Sequence, residues 1–111
     1  TGRVLLADLD PNEAEVRLER KPRQKLTPNT RTDLPTLMSY LNESRRAGYA
    51  ISDEELELGV RSLAVPVRDQ KGQTIGSISI VSSTSRRSLE NMIDNLLPEL
   101  ERARWMVASL I

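Results

Sequence analysis

Hydrophobic and polar positions alternate along two runs that flank Gln70-Lys71-Gly72. A period of two is the mark of a strand, because successive side chains point to opposite faces. One face carries Leu63, Val65, Val67, Ile78 and Ile80 and reads as a core face. The other carries Ser62, Ala64, Ser77 and Ser79, with Val60 and Val81 beside them. That face is small and mildly polar, as a sheet is where it lines a cavity. The polar, glycine-containing connection predicts a hairpin. With Gln70 and Lys71 at its tip, Asp69 faces Gly72, Ser62 lies opposite Ser79, and Ala64 lies opposite Ser77. Tyr49-Ala50-Ile51 predicts a short strand ahead of the hairpin. Gly59 marks a tight backbone position at the start of the next strand.

Elsewhere the pattern is helical. Val4, Leu5 and Leu6 predict a short buried helix entered from Gly2. Asp10-Pro11-Asn12-Glu13 is a start signal, with Asp10 as cap, Pro11 in the first turn and Glu13 placed to reach back. That helix extends to about Arg20 with Ala14 and Leu18 on one face. Thr32 or Asp33 caps the next, in which Leu34, Leu37, Met38 and Leu41 recur at helical spacing. Arg45 and Arg46 suit its C-terminal dipole, and Gly48 ends it. Lys21-Pro22-Arg23-Gln24-Lys25 reads as a surface loop, and Leu26 to Arg31 as an extended connection. From Ser85 to Ile111 the pattern is one long helix, with Leu89, Met92, Ile93, Leu96, Leu97, Leu100, Ala103, Val107 and Leu110 in period. Pro98 either kinks it or opens a new helix. Trp105 is expected to pack.

Composition narrows the chemistry. The chain of 111 residues suffices for one core. Sixteen basic and sixteen acidic residues leave no net charge, which argues against this piece gripping a nucleic-acid backbone. The sequence has no His and no Cys, so a Ser-His-Asp triad, a thiol nucleophile, a disulfide and a cysteine zinc site are excluded within it. A serine hydrolase would need a lysine base, and Lys21, Lys25 and Lys71 fall in loops or turns. Asp53, Glu54, Glu55 and Glu57 lack calcium-loop spacing and are read as ordering a loop or facing solvent. No cofactor or metal is expected. No apolar run reaches the roughly 20 residues of a membrane span, and the expected location is cytoplasmic.

An ordered set of short motifs resembles the IclR family of bacterial transcriptional regulators. It comprises Thr1-Gly2-Arg3-Val4-Leu5-Leu6-Ala7, Leu26-Thr27-Pro28-Asn29-Thr30, Arg46-Ala47-Gly48-Tyr49-Ala50, and Glu54-Glu55 followed by Gly59-Val60-Arg61-Ser62. Ala64-Val65-Pro66-Val67, Gly72 and Ile78-Ser79-Ile80 complete it. Ser52-Asp53-Glu54-Glu55-Leu56-Glu57 and the Ala103-Arg104 ending lean toward the regulators of aromatic-acid catabolism.

The resemblance implies an α/β (α+β) fold: a GAF-like antiparallel sheet with packed helices. It implies a partial effector-binding domain over residues 1–111, lacking its first strand and helix and the winged helix-turn-helix that binds DNA. A small organic acid is the implied effector. The implied pocket positions are Thr1, through its backbone, and Ser52, Ser62, Ser79 and Val81. Some relatives carry an acidic residue at Ser52, a thiol at Ser62 and a hydroxyl at Val81, so the resemblance does not fix the exact ligand. A homo-oligomer, dimer or tetramer, is also implied, with DNA bound only through the absent domain. Two alternatives stand beside this reading: an oligomerisation module without a functional pocket, and a sensor module from a non-transcriptional protein. Arg68→Ala, near the hairpin tip, is expected to change effector affinity little.

Overall fold

A computed structural model describes residues 2–20 and 22–110. Three antiparallel strands form one sheet in the order β1-β2-β3: β1 is Ala50–Asp53, β2 Val60–Arg68 and β3 Thr74–Ser83. Helices α1 (Gly2–Ala7), α2 (Pro11–Arg20) and α3 (Leu34–Ala47) precede the sheet. A helical segment comes after it: a first turn, α4 (Leu89–Asn91), a π-helical turn over Met92–Leu96, and α5 (Leu97–Ala108). This is the α+β architecture expected from the sequence.

The sheet divides two hydrophobic layers. Leu63 and Val65 are wholly buried on one face, where Met92 and Leu100 of the C-terminal segment cover them. Each such side chain contributes about 1.5–3 kcal/mol on burial. On the other face Val4 of α1 packs on Ala50 and Ala64, residues small enough to let the helix backbone come close. Behind α1, a third cluster of Ala7, Ala14 and Leu41 joins α1, α2 and α3. Val4 and Ala7 form the buried stripe of α1, whereas Leu5, expected to be buried, is 39% exposed.

Local chemistry places the helix ends. Asp10 accepts from the Asn12 amide at 3.1 Å. Glu13 does not reach back, because Arg17 pairs with it at 3.1 Å across one turn. Asp33 caps α3, and Gly48 ends it at a φ of 82°, where only glycine sits without strain. Arg45 serves a neighbour rather than its own helix, donating to the carbonyls of Ala7 at 2.7 Å and Leu9 at 3.0 Å. Arg23 ties the loop after α2 together through the Leu18 and Thr32 carbonyls.

Two expectations are corrected. The hairpin pairs Ser62 with Val81 and Ala64 with Ser79, not Ser62 with Ser79. Asp69 closes on Gln73, leaving a three-residue loop in which Gly72 takes a φ of 81°. That is one slip of register. Ile75 is an extra residue between Thr74, opposite Arg68, and Gly76, opposite Val67, and this is a second slip. Two slips of one residue restore the parity, so every side chain stays on its expected face. The long helix begins at Leu89, capped by Ser88, and contains the π-turn. There the Leu97 amide bonds the Met92 carbonyl five residues back. This wide turn sits just before Pro98 in the first turn of α5, where the ring displaces no helical hydrogen bond.

Candidate functional site

The three strands bring most of the sequence-predicted positions onto one face. Ser52 pairs with Ser62, and Ser62 with Val81, so these three form one row across the sheet. Ala50, Ala64 and Ser79 form the next row. Val4 covers Ala50 and Ala64. Beyond that cover, Ser52 and Ser62 are half-buried, Ser79 is exposed, and Val81 is 62% exposed. Ser62 and Ser79 are diagonal neighbours, close enough for one small ligand to meet both. Among the described residues, none forms a hydrogen bond with the hydroxyls of Ser52, Ser62 or Ser79. Ser77, further along the same face, has a buried hydroxyl without a partner. Thr1 lies outside the described residues.

A row of serine hydroxyls beside an aliphatic side chain suits a small molecule with one polar and one apolar part. Hydroxyls donate to carboxylate or phenolic oxygens, and Val81 offers apolar contact. The face is open: the main cavities lie elsewhere and none is lined by Ser52, Ser62, Ser79 or Val81. The largest, about 640 Å³, runs between α1 and the hairpin loop and is bordered by Leu5, Leu9, Arg17 and Gln73. A second, about 290 Å³, is bordered by Arg3, Tyr40, Tyr49 and Glu55.

The acidic stretch after β1 is a hydrogen-bonded loop. Glu54 sits at a φ of 58° and accepts from the Gly59 amide at 2.9 Å. Asp53 pairs with Arg61 at 2.6 Å. Glu55 pairs with Arg3 at 2.7 Å. The Thr27 hydroxyl donates to the Glu54 carbonyl at 2.5 Å and the Thr30 hydroxyl to that of Glu55. Leu26–Arg31 is therefore a latch, with the Thr30 amide turning back to the Thr27 carbonyl, rather than a plain extended connection. Sequence reasoning missed this role. Its only signal was the pair of threonines three residues apart, a spacing at which hydroxyls reach local backbone.

Arg68 spans to Asp8 after α1 with two bonds of 3.0 Å, and the Thr74 hydroxyl donates to the same carboxylate. Trp105 does not pack in the core. It is 72% exposed and borders a groove of about 380 Å³ with Gln70 and Arg104.

Known proteins match the chain along its length. Residues 1–107 fit the family described as Bacterial transcriptional regulator IclR C-terminal. The Pca operon regulatory protein of Acinetobacter baylyi is 38% identical over 100 residues, which cover 90% of this chain and 36% of that protein. The p-hydroxybenzoate hydroxylase transcriptional activator of the same organism is 36% identical over 111 residues, covering all of this chain and 41% of that protein. The chain thus spans about two fifths of the length of these relatives. Among solved structures, a double mutant of the inducer-binding domain of the Acinetobacter transcription factor PobR, in complex with 3-hydroxybenzoic acid, superposes with a TM-score of 0.95. It is 37% identical and covers 100% of this chain and 63% of that one.

Proposed function

Because the chain belongs to the IclR family of bacterial transcriptional regulators, whose C-terminal domain it matches, we propose that it senses a small organic acid, of the aromatic class, and passes its occupancy to a DNA-binding domain of the same protein. The observation that carries this reading is the row Ser52–Ser62–Val81, with Ser79 diagonal to it, on a face that α1 half covers. The similarity to a domain complexed with a hydroxybenzoic acid supports the ligand class. In this reading the serine hydroxyls donate to the acid's oxygens, Val81 contacts its apolar part, and backbone at Thr1 helps. A regulator of this kind acts in the cytoplasm, as a homo-oligomer. It works by shifting an equilibrium between arrangements of its DNA-binding parts. It is not an enzyme: binding leaves the acid unchanged. The matched share of the relatives leaves room for a separate DNA-binding domain in the whole protein, and residues 1–111 are one part of it.

The test is calorimetric titration of the full-length protein with 3- and 4-hydroxybenzoate. Losing one hydrogen bond to a charged group costs about 1.5–3 kcal/mol. Ser62→Ala is therefore expected to weaken binding about ten- to a hundredfold without unfolding the domain. Ser62→Leu should abolish it by filling the space. Wild-type affinity in both variants would remove this face as the site.

A further inference from the structure

The outer edge of β1 is closed by side chains in place of a neighbouring strand. The Glu54 amide bonds the Val60 carbonyl, so even-numbered residues of β1 pair with β2 while Ile51 and Asp53 turn their peptide groups to the free edge. Arg3, in the first turn of α1, donates to the Ile51 carbonyl. Glu55 accepts from the Asp53 amide at 3.3 Å. The two side chains also bind each other through paired contacts of 2.7 and 3.2 Å, and the guanidinium lies 4.7 Å from the centre of the Tyr40 ring. A bidentate, ring-stacked guanidinium holds its geometry far better than an exposed ion pair does. Arg3 and Glu55 are 22% and 17% exposed, against 68% and 60% for Arg102 and Glu99 on α5.

Ser52 lies between the two clamped peptides, with its side chain on the serine face. We propose that Arg3 and Glu55 are positioning residues for the effector. Their ion pair fixes the first turn of α1 against the strand that carries Ser52 and so sets how α1 stands over the open serine face the ligand meets. The proposal rests on the serine face being the effector site. Without the pair, the edge of β1 and the start of α1 would be ordered only on binding, and affinity would fall by that ordering cost. Neither residue touches the ligand.

The experiment uses the full-length protein with 3-hydroxybenzoate as probe. Arg3→Lys keeps the charge but loses the fork, and Glu55→Gln keeps the shape but loses the charge. Each is expected to weaken binding about tenfold. The double variant should bind no worse than the weaker single one, because the pair acts as a unit. Two comparisons separate positioning from stability. Arg102→Gln breaks the exposed pair on α5 and should leave affinity unchanged. Arg68→Ala loosens the other end of α1 and should lower the melting temperature as much as Glu55→Gln does, with a smaller loss of affinity. Additive losses, or losses that track melting temperature across all the variants, would overturn the proposal. If the wild type itself binds no hydroxybenzoate, the reading of the serine face has failed for that class. The clamp is then judged by hydrogen exchange at the Asp53 amide, which should be about tenfold faster in Glu55→Gln than in the wild type. An unchanged rate would sink it.

Discussion

Asp33 shows how one carboxylate sets the start of a helix. It accepts from the Thr36 amide at 3.2 Å and from the Thr36 hydroxyl. These bonds, the hydroxyl's above all, hold its pKa below the ordinary value of 3.8. A depressed carboxylate stabilises the folded state above its unfolded pKa, and that contribution is lost as pH falls through the lower folded value. Acid titration should therefore fray the first turn of α3 below pH 3.8, read as loss of protection at the Thr36 amide. Asp33→Asn should remove the pH dependence of that signal; an unchanged titration would show that another group controls it. Asp33, Gly48 and Gly72 were legible in the sequence because each acts on backbone within four residues. Arg3, Arg45 and Arg68 were not, because their partners lie 52, 38 and 60 positions away, and only the fold brings them together. The serines stand between these cases. Alternation placed Ser62 and Ser79 on one face, but it could not say that they are diagonal.

At the scale of elements, the hairpin and the C-terminal segment show what periodicity can and cannot reveal. Period two survived the misread loop, because Gly72 and Ile75 each shift the register by one and together preserve the faces. Period 3.6 carries through the π-turn as far as Leu100, since Ile93, Leu96, Leu97 and Leu100 all pack on the cluster that holds Met92. Met92 and Leu100 point into the core, whereas Val107 is 38% and Leu110 86% exposed. Met92 lies in the widened turn and is wholly buried against Leu63 and Val65. Met92→Ala is expected to cost about 2–5 kcal/mol, more than an exposed methionine such as Met106 would, because the sheet cannot collapse into the gap. Urea denaturation of both variants measures the difference, and equal midpoints would contradict the packing described.

The whole molecule is a sheet with α5 on one side and α1 to α3 on the other, and its outer surface is not uniformly polar. Trp105 and Met106 are 72% and 65% exposed, and Ile75 and Val81 on β3 are 50% and 62% exposed. Assembly through this domain, part of the function proposed above, would cover some of this surface. Sedimentation over a concentration series is expected to show mass above that of one chain, and a single-chain mass at the highest concentration would count against assembly through this domain. The core face of the sheet was legible from its period of two, whereas the helix layer over the other face was not, because it rests on Val4, whose partners Ala50 and Ala64 look unremarkable in sequence.

The Arg3–Glu55 clamp gives this sheet a direction of growth. An incoming strand that approached β1 would find the Ile51 carbonyl and the Asp53 amide already taken, and would have to break an ion pair to replace them. The outer side of β3 has no such clamp along Ser77–Val81 among the described residues; only the Ser83 carbonyl, at its end, is taken, by the Arg86 and Arg87 amides. A strand that extended the sheet along Ser77–Val81 would meet no ion pair there and would lie next to Ser79 and Val81. Such a strand would also stand as a wall of the face proposed to sense the effector.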